Sequence, residues 1–177
     1  MRLPPGLPSL GSLALLVVLI VVLVTGGGGD GGSGSDGESG AGESVRVPVV
    51  DVVDGDTIKV RIDGELEYVR YIGVDTPETV KPDAAVECFG PQASDFNHRE
   101  VEGETVRLVF DAERRDDYGR LLAYVYVGPT LVNAELVEHG YATTLTIAPN
   151  DSRAEQFARL EDEAARAGRG LWGSCEG

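Results

Sequence analysis

The chain has 177 residues, a formal net charge of −15, two cysteines and one tryptophan, which is enough for one ordinary globular domain. It holds no Cys-x-x-Cys pair, no Ser/His/Asp or Cys/His arrangement and no phosphate-loop pattern, so zinc-ribbon, thiol-redox, triad and P-loop chemistry are set aside. The acidity itself does not forbid an anionic substrate, because in about 1 M salt the Debye length is only ~3 Å.

Taken in chain order, residues 1–25 carry an apolar run, Leu13 to Val24, behind a single cation, Arg2. Counted from Leu7, the run spans roughly 27 Å as a helix, marginal for a bilayer. It reads as either a secretory signal peptide or an N-terminal transmembrane anchor, and both place the globular part outside the cytoplasm. Residues 26–44 are nearly all Gly, Ser and acid and read as a flexible linker. From Val45 onward 26 acidic side chains face 14 basic ones, a net −12, and only two of the cations are lysine. A carboxylate surface this dense suits a salt-loving, halophilic setting.

The stretches 45–53 and 56–62 read as strands broken at Asp54-Gly55. A second turn at Asp63-Gly64 leads into a third strand, "ELEYVRYIGV", which makes an antiparallel meander. Gly90-Pro91 starts a helix with Phe89, Ala93 and Phe96 at helical spacing. Two further strands, "ETVRLVF" and "GRLLAYVYV", flank the polar "DAERRDDY". A short helix follows, capped by Thr130 and ended at Gly140. The last helix opens with a Ser152-x-x-Glu155 capping box and runs an apolar stripe from Phe157 to Leu171. Five short strands with helices after the third and at the end predict a mostly β, α+β fold: a five-stranded OB-fold barrel with three packed helices. Trp172 and Tyr141 are expected in the core, and His98 and His139 as structural or surface groups.

The chemistry concentrates in "DVVDGDTIKVRIDGELEYVRYIGVDTPET". Strand alternation puts Asp56 in a core-facing row with Ile58, Val60 and Ile62, and Arg70 in a row with Leu66, Tyr68, Ile72 and Val74. A guanidinium on an apolar face must meet an anion. Three carboxylates, Asp56, Asp75 and Glu78, with a backbone carbonyl offer what a hard cation such as Ca²⁺ needs. Arg70 would then face a phosphate held by that ion; the alternative is a plain salt bridge from Arg70 to Asp75 or Glu78. Arg120, after the Tyr118-Gly119 turn, supplies a second bidentate phosphate donor and favours a phosphoryl site. Cys88 and Cys175 are either one disulfide or two free thiols, and export favours the disulfide.

The motifs "DGDT", "VDTPET", "FGPQAS", "DYGR" and "VNAELVEHGYA", in this order, resemble the staphylococcal (thermonuclease-like) nuclease family over residues 45 to about 173. The resemblance implies an OB-fold phosphodiesterase that takes one Ca²⁺ ion and cleaves DNA and RNA with little sequence specificity, leaving 3′-phosphates. By position it implies Asp56, Asp75 and the Thr76 carbonyl as metal ligands, Glu78 as general base, Arg70 and Arg120 as the phosphate-binding pair, and Tyr118 as a contact to a terminal phosphate. Two departures stand out. Leu145 and Ile147 occupy the place of an aromatic pair at the base pocket, and Asp116 and Asp117 precede Tyr118 where a cation would help. In that fold Cys88 and Cys175 would lie near one another, which supports pairing them.

The competing reading is a catalytically inactive OB-fold module binding nucleic acid or protein at the cell surface. It predicts losses among Asp56, Arg70, Asp75, Glu78 and Arg120, and all five are present. The apolar N-terminus leaves membrane contact open, and no protein partner is implied.

Overall fold

The computed structural model describes residues 42–79 and 85–175. The expected leader or anchor over residues 1–25 lies outside them, as does nearly all of the linker. Among the described residues no helix is long and apolar enough to cross a membrane.

Three strands open the domain: β1 (Ser44–Val52), β2 (Thr57–Ile62) and β3 (Glu65–Tyr71). They pair as the predicted antiparallel meander, with Val52 opposite Ile58 and Ile58 opposite Val69. The chain then bends at Gly73 into β4 (Gly73–Asp75). Gly73 has φ +80°, and a Cβ there would sit 2.6 Å from the Phe157 ring, so only glycine allows this corner. Helix α1 (Gly90–Val101) follows, then β5 (Thr105–Val109), β6 (Leu121–Val127), β7 (Thr130–Leu131), α2 (Val132–Glu138), β8 (Thr143–Leu145), α3 (Ala154–Arg166) and the short α4 (Leu171–Ser174).

The main sheet runs β3-β2-β1-β5-β6-β7, and a parallel pairing of β3 with β6 closes it into a five-stranded barrel of β1, β2, β3, β5 and β6. This is the expected OB-fold, with α1, α2 and α3 packed against it. The barrel interior is aliphatic, with Ile58, Val60, Val69, Val106, Leu108 and Val125 fully buried. β4 and β8 form a separate two-stranded ribbon beside the closure.

Two buried asparagines tie helices to this frame. Asn133 in α2 accepts from the Val125 amide at 2.8 Å and donates to the Ile72 carbonyl at 2.9 Å. Asn97 in α1 accepts from the Tyr71 hydroxyl and donates to the Asp54 carbonyl, both at 2.9 Å. Fully buried amides satisfied in this way specify one register of helix on sheet.

Several local expectations are corrected. Of the row Leu66, Tyr68, Arg70, Ile72 and Val74, only the end past Tyr71 faces the core: Ile72 and Val74 are buried, but Leu66 and Tyr68 are 54% and 46% exposed, while Val69 and Tyr71 are buried. Both faces of this strand carry apolar residues, so alternation alone fits either phase, and pairing with β2 decides it. The last helix is not continuous to Leu171, because Gly168 and Gly170 adopt positive φ and split α3 from α4. Its capping box does not form: α3 begins at Ala154 without a side-chain cap. Ser152 is drawn away, its hydroxyl donating to Tyr124 Oη at 3.2 Å and its amide to Asp111 at 3.2 Å. Thr130 likewise lies in β7, and Leu131 occupies the cap position of α2 without a side-chain bond. Trp172 is exposed at the end of the domain, whereas Tyr141 packs on the core and stacks with Phe96.

The Tyr124 hydroxyl donates to the buried Asp111 carboxylate at 3.0 Å. Burial, reinforced by Asp111, pushes the phenol up to about 12, while the Ser152 bond opposes the shift. The folded phenol therefore keeps its proton above the pH where an unfolded tyrosine loses it, near 10. Its contribution to stability is complete below about pH 10 and is lost as pH rises towards 12. Tyr124→Phe is expected to cost about 1–3 kcal/mol at neutral pH, since Asp111 loses a donor. The same change should flatten the alkaline slope of stability, as urea titrations between pH 8 and 12 would report.

Candidate active site

The site assembles where the meander meets the barrel closure. Asp56 stands just before β2, and its buried carboxylate is held by hydrogen bonds. Oδ2 accepts from the Thr76 amide and hydroxyl, both at 2.8 Å, and Oδ1 accepts from the Thr57 hydroxyl at 3.2 Å. Gly55 makes room for this, since a Cβ there would overlap Thr76 at 2.7 Å.

Arg70 is the hub. Its Nη1 lies 3.1 Å from Asp56 Oδ1 and donates to the Val74 carbonyl at 2.7 Å; its Nη2 pairs with Asp75 Oδ1 at 2.7 Å. The side chain is only 13% exposed. The guanidinium thus meets its required anions, and the salt bridge to Asp75 raised by the sequence is present. It does not exclude a phosphoryl site, because the same group lines a cavity.

Register explains how the second arginine arrives. In the parallel β3–β6 pair Arg70 stands beside Leu122, and Arg120 lies two residues before Leu122. A period of two therefore puts Arg70 and Arg120 on the same outer face of adjoining strands. Strand spacing and rise set their Cα atoms roughly 8 Å apart.

Both arginines line a cavity of about 290 Å³, together with Tyr118, Leu145, Ile147 and Asn150. Tyr118 is 87% exposed, with the Arg120 guanidinium 5.6 Å from its ring centre. Arg120 Nε pairs with Asp116 Oδ2 at 2.7 Å, while Asp116 Oδ1 accepts from the amides of Tyr118 and Arg120. Asp116 thus shapes the Tyr118 turn and neutralises part of the Arg120 charge. Asp117 and Glu113 add further carboxylates to the cavity wall.

The acidic side of the site carries strain of like charge. Asp75 is held above the usual carboxylate range by burial first; Arg70 opposes this, and Asp56, Glu87 and Glu78 add to the shift. Asp54 is pushed up to about 6 by burial and then by Asp56. Glu78 is half-buried, near enough to Asp75 to act on it, and its Oε1 accepts from the Thr79 amide at 2.9 Å. Among the described residues no three acidic, His or Cys side chains converge into a ready cation cage, so the expected triple carboxylate of Asp56, Asp75 and Glu78 is not assembled. The residues still fit a hard cation. Asp56 and Asp75 meet on one guanidinium, every donor is oxygen, and the mutual repulsion of the carboxylates is what a divalent ion relieves.

Among the predicted site residues, then, Asp56, Arg70, Asp75 and Thr76 touch directly, Arg70, Tyr118 and Arg120 share the cavity, and Glu78 lies beside Asp75. Cys88 and Cys175 form the expected disulfide. His98 and His139 stand apart on helix ends, beside Glu102 and Glu135. Sequence reasoning passed over Asn97, which holds the Asp54 turn. Its signal was present: Asn97 sits in the apolar stripe of α1 with Ala93, Phe96 and Val101, where a polar side chain must find a partner.

A family model described as Staphylococcal nuclease homologue matches residues 68–174. A thermonuclease of Staphylococcus hyicus is 41% identical over 124 residues, covering 70% of this chain and 73% of that protein. A thermonuclease of Staphylococcus intermedius is 42% identical over 121 residues, 68% of this chain and 72% of its own. Endonuclease YncB of Bacillus subtilis is 42% identical over 130 residues, 72% of this chain and 62% of its own.

Proposed function

The chain belongs to the staphylococcal nuclease homologues and is a nuclease of that family, and from this premise we propose a Ca²⁺-dependent phosphodiesterase that hydrolyses DNA and RNA with little sequence specificity. The observation that carries it is the placing of Arg70 and Arg120 on one face of one cavity, beside the Asp56–Asp75 pair.

A phosphodiester seated in the cavity would take bidentate contacts from the two guanidinium groups, which also stabilise charge growing on its nonbridging oxygens. Glu78 orients a water and takes its proton as that water attacks phosphorus, so the leaving 5′ oxygen departs and a 3′-phosphate remains. A bound Ca²⁺, held by Asp56, Asp75 and the Thr76 carbonyl, would add positive charge at those same oxygens. Tyr118 contacts a neighbouring phosphate from the exposed turn. Leu145 and Ile147 offer the base an apolar surface without an aromatic ring, which supports weak base preference.

Export, as a secreted or membrane-tethered protein, is part of the same proposal. It is supported by the apolar N-terminal run and by the disulfide, a bond that persists in oxidising compartments.

The test is cleavage of single-stranded DNA and RNA by the full chain in molar KCl, with Ca²⁺ or with a chelator. Cleavage that appears with Ca²⁺ and ceases with the chelator is the expected result. A folded chain that cleaves neither substrate under either condition would sink the proposal. Asp116→Asn offers a finer check, because the amide keeps the Oδ1 acceptor for the turn and frees Arg120 from its ion pair. KM should fall by about two- to fivefold, the scale of a partly exposed pair, with kcat little changed.

A further inference from the structure

The backbone that carries Glu78 leaves β4 at Asp75 and belongs to no helix or strand. It is gripped instead by Glu87. The Glu87 carboxylate accepts from the Glu78 amide at 3.0 Å, and the Glu87 amide donates to the Glu78 carbonyl at 2.9 Å. Gly90 closes the contact: its amide donates to the Glu87 carbonyl at 3.1 Å, and a Cβ on it would lie 3.1 Å from the Glu78 carbonyl oxygen.

Glu87 is anchored in turn by its neighbour. Cys88 is bonded to Cys175, directly after α4. That helix is seated on the end of α2, where the Leu171 amide donates to the Gly140 carbonyl at 2.8 Å. An unbroken series of contacts therefore runs from the packed α2 through the disulfide to the peptide of Glu78.

We propose that Glu87 is a positioning residue for the reaction, setting the Glu78 backbone through this two-bond grip, and that the Cys88–Cys175 bond keeps the grip closed. The inference rests on the nuclease reading above. Glu78 must place a carboxylate within hydrogen-bond reach of a water, and among the described residues its backbone is bonded on both its amide and its carbonyl by Glu87. A displacement of about 1 Å in such a group costs on the order of 10²-fold in rate.

The experiment compares kcat and KM of the full-length wild type, Glu87→Ala and Glu87→Gln in saturating Ca²⁺, with near-UV circular dichroism as a check on the fold. Glu87→Ala should lower kcat about 10- to 100-fold with KM within about twofold. Glu87→Gln, whose amide oxygen still accepts from the Glu78 amide, should restore kcat to within about threefold of wild type. Reducing the disulfide at a temperature where the domain stays folded should lower kcat in wild type and add little in Glu87→Ala. A folded Glu87→Ala with wild-type kcat would overturn the proposal. So would a Glu87→Gln as impaired as the alanine variant and restored by excess Ca²⁺, which would make Glu87 a cation ligand. A wild type without Ca²⁺-dependent cleavage removes the nuclease reading and this inference with it.

Discussion

Glu78→Gln is expected to lower kcat by about 10² to 10⁴ while leaving the fold and KM nearly unchanged. Glutamine matches glutamate in size, and its oxygen can still accept from the Thr79 amide that now bonds Glu78 Oε1. What it loses is basicity: an amide cannot take the proton of the attacking water. Arg70 and Arg120 still bind the phosphodiester, so affinity is kept and the loss falls on the chemical step. Single-turnover cleavage in saturating Ca²⁺ measures that step directly. A loss of less than about threefold would exclude Glu78 as the base.

Replacing both cysteines, Cys88→Ser with Cys175→Ser, is expected to reduce unfolding free energy by about 4 to 5 kcal/mol. The bond joins residues 87 apart in sequence, so its loss returns to the unfolded chain the freedom of a loop that holds about two thirds of the domain. For a domain of this size each kcal/mol moves the midpoint by roughly 3–5 °C, which predicts a fall in Tm of more than about 10 °C. Thermal and urea unfolding of the variant, and of wild type with reductant, should agree. A change below about 1 kcal/mol would mean that the contacts around α4 already hold the C-terminus and that the unfolded chain is compact without the link.

Much of the site was legible because its chemistry is local. "DGDT" and "VDTPE" each place an acid at a strand end by turn geometry alone, and the structure joins Asp56 to Thr76 within 2.8 Å. Arg70 meets the anions that the sequence requires of it, although it does not stand on the core face of β3. Leu66 and Tyr68 of its row face outward, and it meets anions because Asp56 and Asp75 converge on it. The capping expectations at Ser152 and Thr130 failed on competition: Tyr124 and Asp111 offered Ser152 better partners than a helix end, and Thr130 was claimed by β7.

By itself the sequence determined the elements whose cause lies within a few residues. These are the meander with its two Asp-Gly turns, the start of α1 at Gly90-Pro91, and the candidate acids and arginines. It also carried the family, through motifs kept in order. Only the tertiary structure decided which face of β3 is inside, that β3 and β6 run parallel and close the barrel, and hence that Arg70 and Arg120 share one face. It alone brought Glu87 onto Glu78. The physical reason is the range of the forces. Turns and caps are settled by neighbours along the chain. Strand phase, register and ion pairing are settled by surfaces that meet only once the barrel has closed, and a period of two leaves both phases open until then.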